Sequence, residues 1–479
     1  MRVRGSSPVV GGLAVLLIVL TACTAQPVDE AREPAPEAGA WPAPSPSRPV
    51  VDLSFSVAED LGSVAGTEWV QFTPDLDVCE LVFRLWPNKP LTAEAGNALE
   101  VTEVAVDGRP AIAEVASAGA PDRAPGTLLE VPLPSCVAAG TTVDAELDFA
   151  LTLGEGTDER VGVARAGDVA WFGTAFPLLA WESGRGWARD PAVRVAGEMA
   201  TSETFRLRSL EVDVPSGYDV LGTGAATGTR EREDGRTSHL FTAPAVRDVT
   251  VTVGELEVLN REVDGVRLHV GAPRSGTSAP LSRWAAELEW SMREVADLLG
   301  PVPYEDVWVS VLPDQTDGIE FPGAIQFGDV SPTEQSWLIT HEVAHLWFHG
   351  LVGNNQARDP WLDESFATFV QLVVDDAEPR TSRGLHRWTS DQVGRPMSFW
   401  ATADRPSRAY VQGVYQEGGN ALLEARTLAG QEDFDAALVD YLSDNAHAVA
   451  VPADVAAAFA ELPEVLDVLT RVGALPDGS

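Results

Sequence analysis

Two histidines and a glutamate stand at a spacing that can bind and use a metal ion. They occur in the run H-E-V-A-H, residues 341–345. On a helix, residues four apart lie on one face, so His341 and His345 can hold one Zn²⁺ at about 2.0–2.1 Å per nitrogen. Glu342, between them, is the residue type that takes a proton from an activated water molecule. A lone run of this kind also arises by chance, so a third ligand is needed.

The third ligand has two candidates further along the chain. His349 lies one turn beyond His345, too far along the helix axis to complete the same tetrahedron, and we interpret it as structural or pocket-lining. Glu364 is favoured, because a second, antiparallel helix can bring its second turn against the histidines. Two histidines and a glutamate leave one coordination position open, as catalytic zinc requires, whereas structural zinc more often uses cysteines. We predict one Zn²⁺ per chain, bound by His341, His345 and Glu364.

The two helices that must carry these ligands have recognisable start signals. Ser331 is the predicted N-cap of the first helix, with Pro332 at the first helical position and Glu334 completing a capping box. Asp359 is the predicted N-cap of the second helix, with Pro360 at its first position. Both ligand-bearing segments are therefore predicted to be helical.

The segment around the ligands resembles a known family. H-E-V-A-H-L-W-F (341–348) is followed by P-W-L-D-E-S-F-A (360–367), and eighteen residues separate His345 from Glu364. This pattern is similar to that of the aminopeptidase N family of gluzincin metallopeptidases, which has two histidines, eighteen residues and then a glutamate. A thermolysin-type enzyme usually has Asp four residues after the third ligand, where this chain has Thr368. The resemblance implies zinc-dependent hydrolysis of peptides.

Three further stretches agree with the resemblance. L-L-G-P-V-P-Y (298–304) resembles the family's helix-to-strand turn. I-E-F-P-G (319–323) lies where the family has its G-x-M-E-N exopeptidase strand, which implies that Glu320 pairs with the α-ammonium group of a substrate. A-Y-V-Q-G-V-Y-Q-E-G (409–418) matches the tyrosine segment, which implies that Tyr415 donates to the oxyanion. Without a function, Glu320 would be a surface-strand carboxylate and Tyr415 an ordinary helix-packing residue.

Departures from the family pattern bear on recognition of a substrate's amino terminus. Phe321 replaces the usual Asn, and Asp317 replaces the first Gly of the exopeptidase strand. Glu417 replaces the Lys of the tyrosine segment. The sequence after that segment is too short for the large helical C-terminal domain of many members, so we expect a more open active site. A second acidic anchor for the amino terminus has three candidates, among which the sequence does not choose: Glu182, Glu198 and Glu203.

The chain as a whole is predicted to be a multidomain α+β protein. From 50 to 258, apolar residues alternate with polar ones, as at Leu53 and Phe55, which predicts an antiparallel β domain. Residues 259–479 mix strand and helix patterns, with one helix predicted over 281–299. The resemblance implies that the first part is a saddle domain and the second a thermolysin-like mixed α/β catalytic domain with a helical C-terminal part.

The N-terminal residues predict export and a lipid anchor. Residues 1–22 have the arginines and the short apolar run of a signal peptide. L-T-A-C (20–23) resembles the lipobox of bacterial lipoproteins, which implies cleavage before Cys23 and a lipid on that residue; a plain secretory signal is the alternative. Residues 23–49 are rich in Pro and Ala and predict an extended tether. We expect an exported protein anchored to the cell membrane on its extracytoplasmic side.

Cysteine count and charge narrow the compartment and the partners. Cys79 and Cys136 remain after Cys23, and in an exported protein they form one disulfide or remain two buried free thiols. The chain has 33 basic and 72 acidic residues, a formal net charge of −39. This excess of negative charge repels phosphate backbones and excludes nucleic acid as a partner.

These features predict a zinc aminopeptidase that removes N-terminal residues from peptides at the cell surface. Three alternatives remain open at this stage. They are an endopeptidase with the same zinc site, a hydrolase of a non-peptide bond, and a catalytically inactive peptide-binding homologue. Nothing in the sequence indicates an oligomeric state.

Overall fold

The computed structural model describes residues 41–476, apart from 156, 157, 159, 165–167, 198, 200, 314 and 380–388. The predicted signal peptide and Cys23 lie outside the described residues. No helix in the described part of the chain is both long and apolar enough to span a bilayer.

The N-terminal part of the described chain is built almost entirely of strands, with one 3-10 turn (Trp86–Asn88) and one short helix, α1 (Pro90–Glu94). Its strands in chain order are β1 (Val50–Val57), β2 (Ser63–Phe72), β3 (Val78–Arg84), β4 (Ala98–Val106), β5 (Arg109–Pro110), β6 (Glu114–Ala116), β7 (Leu128–Val137), β8 (Val143–Thr152), β9 (Val161–Ala164), β10 (Val169–Gly173), β11 (Leu178–Leu179), β12 (Trp181–Glu182), β13 (Gly186–Trp187), β14 (Phe205–Pro215), β15 (Asp219–Gly222), β16 (Ala225–Glu231), β17 (Arg236–Val246) and β18 (Thr250–Gly254).

These strands form one large sheet and three smaller ones. The large sheet has eight strands in the order β16-β17-β14-β1-β2-β8-β4-β5. The smaller sheets have the orders β15-β18-β10-β9, β11-β3-β7-β6 and β12-β13. The domain was predicted to be antiparallel, and all but one of its pairings are. The exception is β1, which pairs in parallel with β14, because β14 arrives from a distant part of the chain rather than by a hairpin.

The core of the β domain follows from the period-two pattern. Strand β8 alternates buried and exposed residues along almost its whole length, so one face of the large sheet is apolar. On that face the ring of Phe55 packs edge-on against Phe149 and Phe172, with centroids 6.0 and 5.2 Å away. A disulfide between Cys79 on β3 and Cys136 on β7 joins two neighbouring strands across 57 residues of sequence.

The C-terminal part of the described chain mixes strands and helices. Its strands are β19 (Leu256–Val263), β20 (Val266–Pro273), β21 (Asp306–Leu312), β22 (Gly318–Phe321), β23 (Ala324–Gly328), β24 (Gly353–Asn354) and β25 (Val449–Ala450). Its helices are α2 (Leu281–Leu299), α3 (Ser336–Ala344), α4 (Trp361–Val374), α5 (Met397–Trp400), α6 (Pro406–Tyr410), α7 (Gly419–Ala429), α8 (Gln431–Asp444), α9 (Pro452–Ala458) and α10 (Pro463–Arg471), with a π-helical segment over Val411–Gly418.

A five-stranded sheet joins the two parts. Its order is β19-β20-β21-β23-β22, so β22 is an edge strand paired antiparallel to β23. Several of its side chains, including Trp308 and Phe321, pack into the core of the β domain, while the helices cover the other side. The predicted boundary at 258/259 falls inside β19, which belongs to this sheet.

Two local predictions meet different outcomes. The helix predicted over 281–299 matches α2, which ends at Gly300 with a φ of 96°, a conformation that glycine adopts without strain. The tether predicted to run to residue 49 has contacts with the folded unit in its C-terminal part. Trp41 Nε1 donates to the carbonyl of Pro301 at 2.9 Å, and Arg48 Nη2 donates to that of Pro244 at 2.8 Å, so the chain is already attached to the folded unit there.

Candidate metal centre

Two short helical segments bring the predicted metal ligands together. Helix α3 carries His341 in its last turn, and His345 is the C-cap residue that follows it. The chain then reverses at His349, whose φ of 94° lies in the left-handed region, and returns through α4, which carries Glu364 in its first turn. The first helix was predicted to begin at Pro332 and begins four residues later, because residues 331–335 form a separate turn closed by Gln335 N donating to Ser331 O at 3.0 Å.

The three ligand atoms form a nearly equilateral triangle. His341 Nε2 lies 3.2 Å from His345 Nε2 and 3.3 Å from Glu364 Oε2, and His345 Nε2 lies 3.4 Å from the same oxygen. A tetrahedral zinc site with arms of about 2.0–2.1 Å has ligand atoms about 3.3 Å apart. All three side chains are buried. The donor set and its spacing therefore fit one zinc ion with a fourth position left open.

Outer contacts fix the orientation of these ligands. The carbonyl of Phe348 lies 3.1 Å from His345 Nδ1 and can accept its proton, which leaves Nε2 free to face the metal position. The other carboxylate oxygen of Glu364 accepts a 2.6 Å hydrogen bond from the hydroxyl of Tyr415. Burial acts to raise the pKa of Glu364, but hydrogen bonds from His341 and His345 outweigh it and lower that pKa. Glu364 is therefore held as a carboxylate.

Tyr415 reaches the centre from the π-helical segment. Its ring stacks on the His341 ring, with centroids 5.6 Å apart and planes 15° apart. The segment is seated closely against α4, since a Cβ on Gly418 would lie 2.0 Å from Ser365 Oγ. The same Ser365 hydroxyl donates to the carbonyl of Val414 at 2.8 Å. Such π segments occur often at functional sites, and here one brings a phenol to the ligand cluster.

Glu342 lies beside the cluster without being part of it. The side chain is 4% exposed, and its Oε2 atom has no hydrogen-bond partner among the described residues. Burial raises the pKa of Glu342 well above its usual value. Gly318 on β22 makes room for it, since a Cβ there would lie 2.4 Å from Glu342 Cγ. A buried carboxylate with a free oxygen has the properties of a general base.

Glu320 lies at the same centre rather than on the surface. It is two residues further along β22, is 3% exposed, and offers a carboxylate oxygen in a group with Glu342 and His345 whose ligand atoms all lie within 4.8 Å of one another. Arg160 Nη2 donates to Glu320 Oε1 at 2.9 Å, and Gln356 Nε2 lies 3.4 Å from the same oxygen. The edge strand thus brings Glu320 to the metal centre, already paired with a cation.

His349 and the candidate acidic anchors lie elsewhere. His349 Nδ1 lies 3.3 Å from Gln356 Nε2, and His349 is in neither of the possible metal groups found among the described residues. Glu182 is buried against Arg358 and Asn355, while Glu203 accepts a hydrogen bond from the backbone of Ser183. Glu198 lies outside the described residues. Neither described candidate, Glu182 or Glu203, is part of the possible metal groups found among the described residues.

Two residues of the centre are not indicated by the sequence. Arg160 lies just before β9 in the β domain, 160 residues from its partner Glu320, and no motif marks it. Gln356 lies in the loop between α3 and α4 and has a residue type that is common in loops. The only signal available was that Phe321 departs from the family pattern, because the Arg160 guanidinium lies 4.7 Å over the Phe321 ring.

Comparison with known sequences supports this assignment of the centre. Residues 331–472 match the peptidase family M1 domain. Aminopeptidase N of Haemonchus contortus is 27% identical over 282 residues, which cover 52% of this chain and 28% of that protein. Aminopeptidase N of Streptomyces lividans is 41% identical over 63 residues, covering 13% of this chain and 7% of that protein. The chain thus spans well under half the length of these curated relatives.

Comparison with solved structures extends over most of the chain. The crystal structure of an M1 zinc metallopeptidase from Deinococcus radiodurans matches with a TM-score of 0.62 and 18% identity, covering 89% of this chain and 92% of that one. A mutant of that enzyme bound to a Tyr-Ser-Ala substrate matches with a TM-score of 0.62 and 19% identity, covering 89% and 93%. At this identity the likeness concerns the fold, and it confirms the predicted multidomain α+β architecture.

In this fold a β domain precedes a domain of mixed strands and helices, whose possible metal centre has two histidines and one glutamate. Residues 331–472 match the peptidase family M1 domain, so this part of the chain is similar to the aminopeptidase N-like gluzincin peptidases, the resemblance that the sequence predicted. The family implies one catalytic Zn²⁺, and the cluster of His341, His345 and Glu364 fits that ion.

Proposed function

We propose that this protein is a zinc aminopeptidase that removes residues from the amino terminus of peptides. The observation that carries the proposal is the position of Glu320, a buried carboxylate on an edge strand beside Glu342 and His345. A carboxylate in a site of low dielectric pairs more strongly with a substrate ammonium than it would in water. Pairing at this position fixes the distance from the amino terminus to the reacting carbonyl.

The chain's own residues divide the chemistry between them. A zinc ion held by His341, His345 and Glu364 supplies Lewis-acid activation of water and of the scissile carbonyl. Glu342 takes a proton from the attacking water as the carbon–oxygen bond forms, and it delivers that proton to the nitrogen as the carbon–nitrogen bond breaks. The Tyr415 hydroxyl, now 2.6 Å from Glu364 Oε1, donates to the developing oxyanion.

Paired peptides test the proposal directly. The purified, zinc-loaded protein is incubated with a peptide that has a free amino terminus and with its acetylated counterpart. We expect stepwise loss of residues from the free peptide and none from the acetylated one. Glu320→Ala should raise KM and lower kcat together. The substrate-bound Deinococcus neighbour makes the tripeptide Tyr-Ser-Ala a suitable first substrate.

An endopeptidase with the same centre is the second candidate. Two observations favour it: Glu320 already has a cationic partner in Arg160, and Phe321 replaces the family's polar Asn. Internal cleavage of the free and acetylated peptides at equal rates would establish the endopeptidase. Stoichiometric zinc with no turnover of any peptide would instead identify an inactive binding protein.

We further propose that the protein is exported and anchored to the cell membrane by a lipid on Cys23. The support is the signal-like run at residues 1–22 followed by L-T-A-C. Cys23→Ser should release the protein from membranes or leave it unprocessed, as measured by fractionation and mass spectrometry. Membrane association that persists after correct cleavage of the variant would contradict the anchor.

A further inference from the structure

The proposed ammonium-binding residue has an arginine beside it. Arg160 is fully buried and donates to Glu320 Oε1 at 2.9 Å, so one positive charge faces one negative charge at the position where a substrate ammonium would bind. The other oxygen, Oε2, makes no hydrogen bond in the described part of the chain, and it remains available to a ligand. A neutral pair, however, attracts an ammonium far less than a lone carboxylate does.

A second buried carboxylate balances the arginine from its other side. Asp248, just before β18, has its Oδ2 atom 3.7 Å from Arg160 Nη1. The Thr174 hydroxyl bridges the two, accepting from Arg160 Nη1 at 3.1 Å and donating to Asp248 Oδ2 at 2.5 Å. With all three groups ionised, Asp248, Arg160 and Glu320 sum to one negative charge. That net charge lies beside Glu342 and His345, whose ligand atoms are within 4.8 Å of a carboxylate oxygen of Glu320.

The backbone around this bridge is built to hold it. Thr174 has a φ of 52°, which a β-branched residue adopts only when its surroundings enforce it. The preceding Gly173 makes room for Phe321, since a Cβ there would lie 2.2 Å from the Phe321 ring. That ring in turn supports the guanidinium of Arg160. The backbone strain at Thr174 is therefore a second observation, separate from the ion pairs, at the bridge between Arg160 and Asp248.

The ionisation of Asp248 agrees with this arrangement. Burial raises the pKa of Asp248 to about 6, and Arg160 and Thr174 act to lower it. Asp248 is therefore a carboxylate at neutral pH. A terminal amine with a pKa of about 7.7–8.0 is then largely protonated, so both charges needed for pairing are present.

We propose that Asp248 is a positioning residue for amino-terminus recognition: it neutralises Arg160 and so leaves the charge of Glu320 to the α-ammonium of the substrate. The inference rests on the proposed aminopeptidase function. Asp248 touches no substrate itself and acts through Arg160, which belongs to the β domain. The β domain thereby sets the specificity of a centre whose metal ligands all lie on α3 and α4.

Binding measurements on a charge series test the inference. All variants are made in the zinc-loaded Glu342→Gln protein. Binding of Ala-Ala-Ala and of acetyl-Ala-Ala-Ala is measured by calorimetry at neutral pH. Asp248→Asn should raise Kd for the free peptide by about tenfold, a coupling typical of groups in one charged network, and leave the acetylated peptide unchanged. Asp213→Asn is the matched control, because it neutralises another buried carboxylate of the β domain, one whose arginine partner is Arg236 and not Arg160.

A double variant separates charge from structure. Arg160→Gln combined with Asp248→Asn removes one charge of each sign and leaves Glu320 with its own. If Asp248 acts through its charge, the double variant should recover most of the free-peptide affinity that Asp248→Asn loses. If Asp248 only supports the fold, the double variant should bind no better than the single one, and that result would overturn the inference.

The outcomes also distinguish this inference from the proposed function. If the Glu342→Gln protein with no further substitution binds both peptides equally well, the aminopeptidase proposal itself fails. If it prefers the free peptide and Asp248→Asn keeps the full preference while remaining folded by circular dichroism, only the role of Asp248 is refuted. Thermal unfolding shows whether each variant is folded. If Asp248→Asn does not fold, Thr174→Val replaces it, because losing the hydroxyl that bridges Arg160 and Asp248 should weaken the same preference for the free peptide.

Discussion

The metal centre and the proposed ammonium-binding cluster, formed by Glu320, Arg160 and Asp248, lie side by side but are assembled in different ways. His341 and Glu364 are 23 residues apart, on two consecutive helices joined by one loop. Arg160 and Glu320 are 160 residues apart and meet only because an edge strand of one domain packs against a loop of the other. The first cluster is defined by local spacing, whereas the second is defined by how the two domains pack.

The two clusters also differ in their electrostatics. The metal centre holds carboxylate and imidazole atoms around a position that a divalent cation fits, so the cation balances the charge of its carboxylate. The ammonium-binding cluster balances Glu320, Arg160 and Asp248 against one another without a metal. We therefore expect substitutions in the first cluster to remove catalysis outright, and those in the second to change which substrates bind.

Loss of a metal ligand should have the largest effect. Glu364→Ala and His345→Ala should lose zinc, and chelation of the unsubstituted protein should also abolish hydrolysis. Residues that merely orient ligands cost about 10–100-fold in metal affinity or activity when mutated, so a ligand itself should cost more than about 100-fold. Zinc is measured by elemental analysis beside activity. His349→Asn is the matched control, because that histidine lies outside the ligand triangle and Asn tolerates its left-handed φ. Loss of zinc in this control would show that the third ligand had been assigned wrongly.

Removal of the base should leave the metal in place. Glu342→Gln keeps the shape of a side chain that packs against Gly318, but it takes away the proton acceptor. General acid–base catalysis contributes about 10²–10⁴-fold, and kcat should fall by that amount with zinc still stoichiometric. A variant that loses zinc would show that Glu342 is a ligand and not a base.

Removal of the Tyr415 hydroxyl should give the next smaller effect. Tyr415→Phe should lower kcat by about 10²–10³-fold with little change in KM, the signature of a donor used mainly in the transition state. Because the hydroxyl also bonds Glu364 at 2.6 Å, zinc affinity is measured separately. Tyr441→Phe is the control, since its buried hydroxyl has no partner in the described structure. An unchanged kcat in Tyr415→Phe would return Tyr415 to a packing role.

The same contrast explains what the sequence could reveal. The spacing within residues 341–364 is a property of helices, so the ligand set could be predicted from it without knowledge of the tertiary structure. The helix over 281–299 was equally accessible, because its apolar period and its terminal glycine are local signals. The start of α3 was wrong by four residues, since the capping signal at Ser331 closes a separate turn instead.

Features that depend on distant contacts were not predictable in the same way. The parallel pairing of β1 with β14 leaves no trace in an alternating pattern, which is the same for parallel and antiparallel partners. Arg160 and Asp248 carry no motif, and their pairing with Glu320 exists only after the domains pack. Glu320 itself was found through the resemblance of its segment to a family strand, but nothing in the sequence indicated its arginine partner.

The smallest predicted effect concerns the stability cost of the second cluster. Burial raises the pKa of Asp248 from 3.8 to about 6, so between these values the folded protein binds a proton that the unfolded chain has released. The contribution of Asp248 to stability is therefore fully present below pH 3.8 and is lost as the pH rises through about 6, a loss of about 3 kcal/mol. Asp248→Asn removes this titration. Between pH 4 and pH 7 the unfolding free energy of the unsubstituted protein should therefore fall by about that amount relative to that of the variant. Both free energies are measured by urea titration. A difference that does not depend on pH would mean that Asp248 is ionised throughout. The charge that the cluster keeps for a substrate would then be maintained without cost to the fold, as it is for the ligand carboxylate of Glu364, whose pKa its histidine partners hold low.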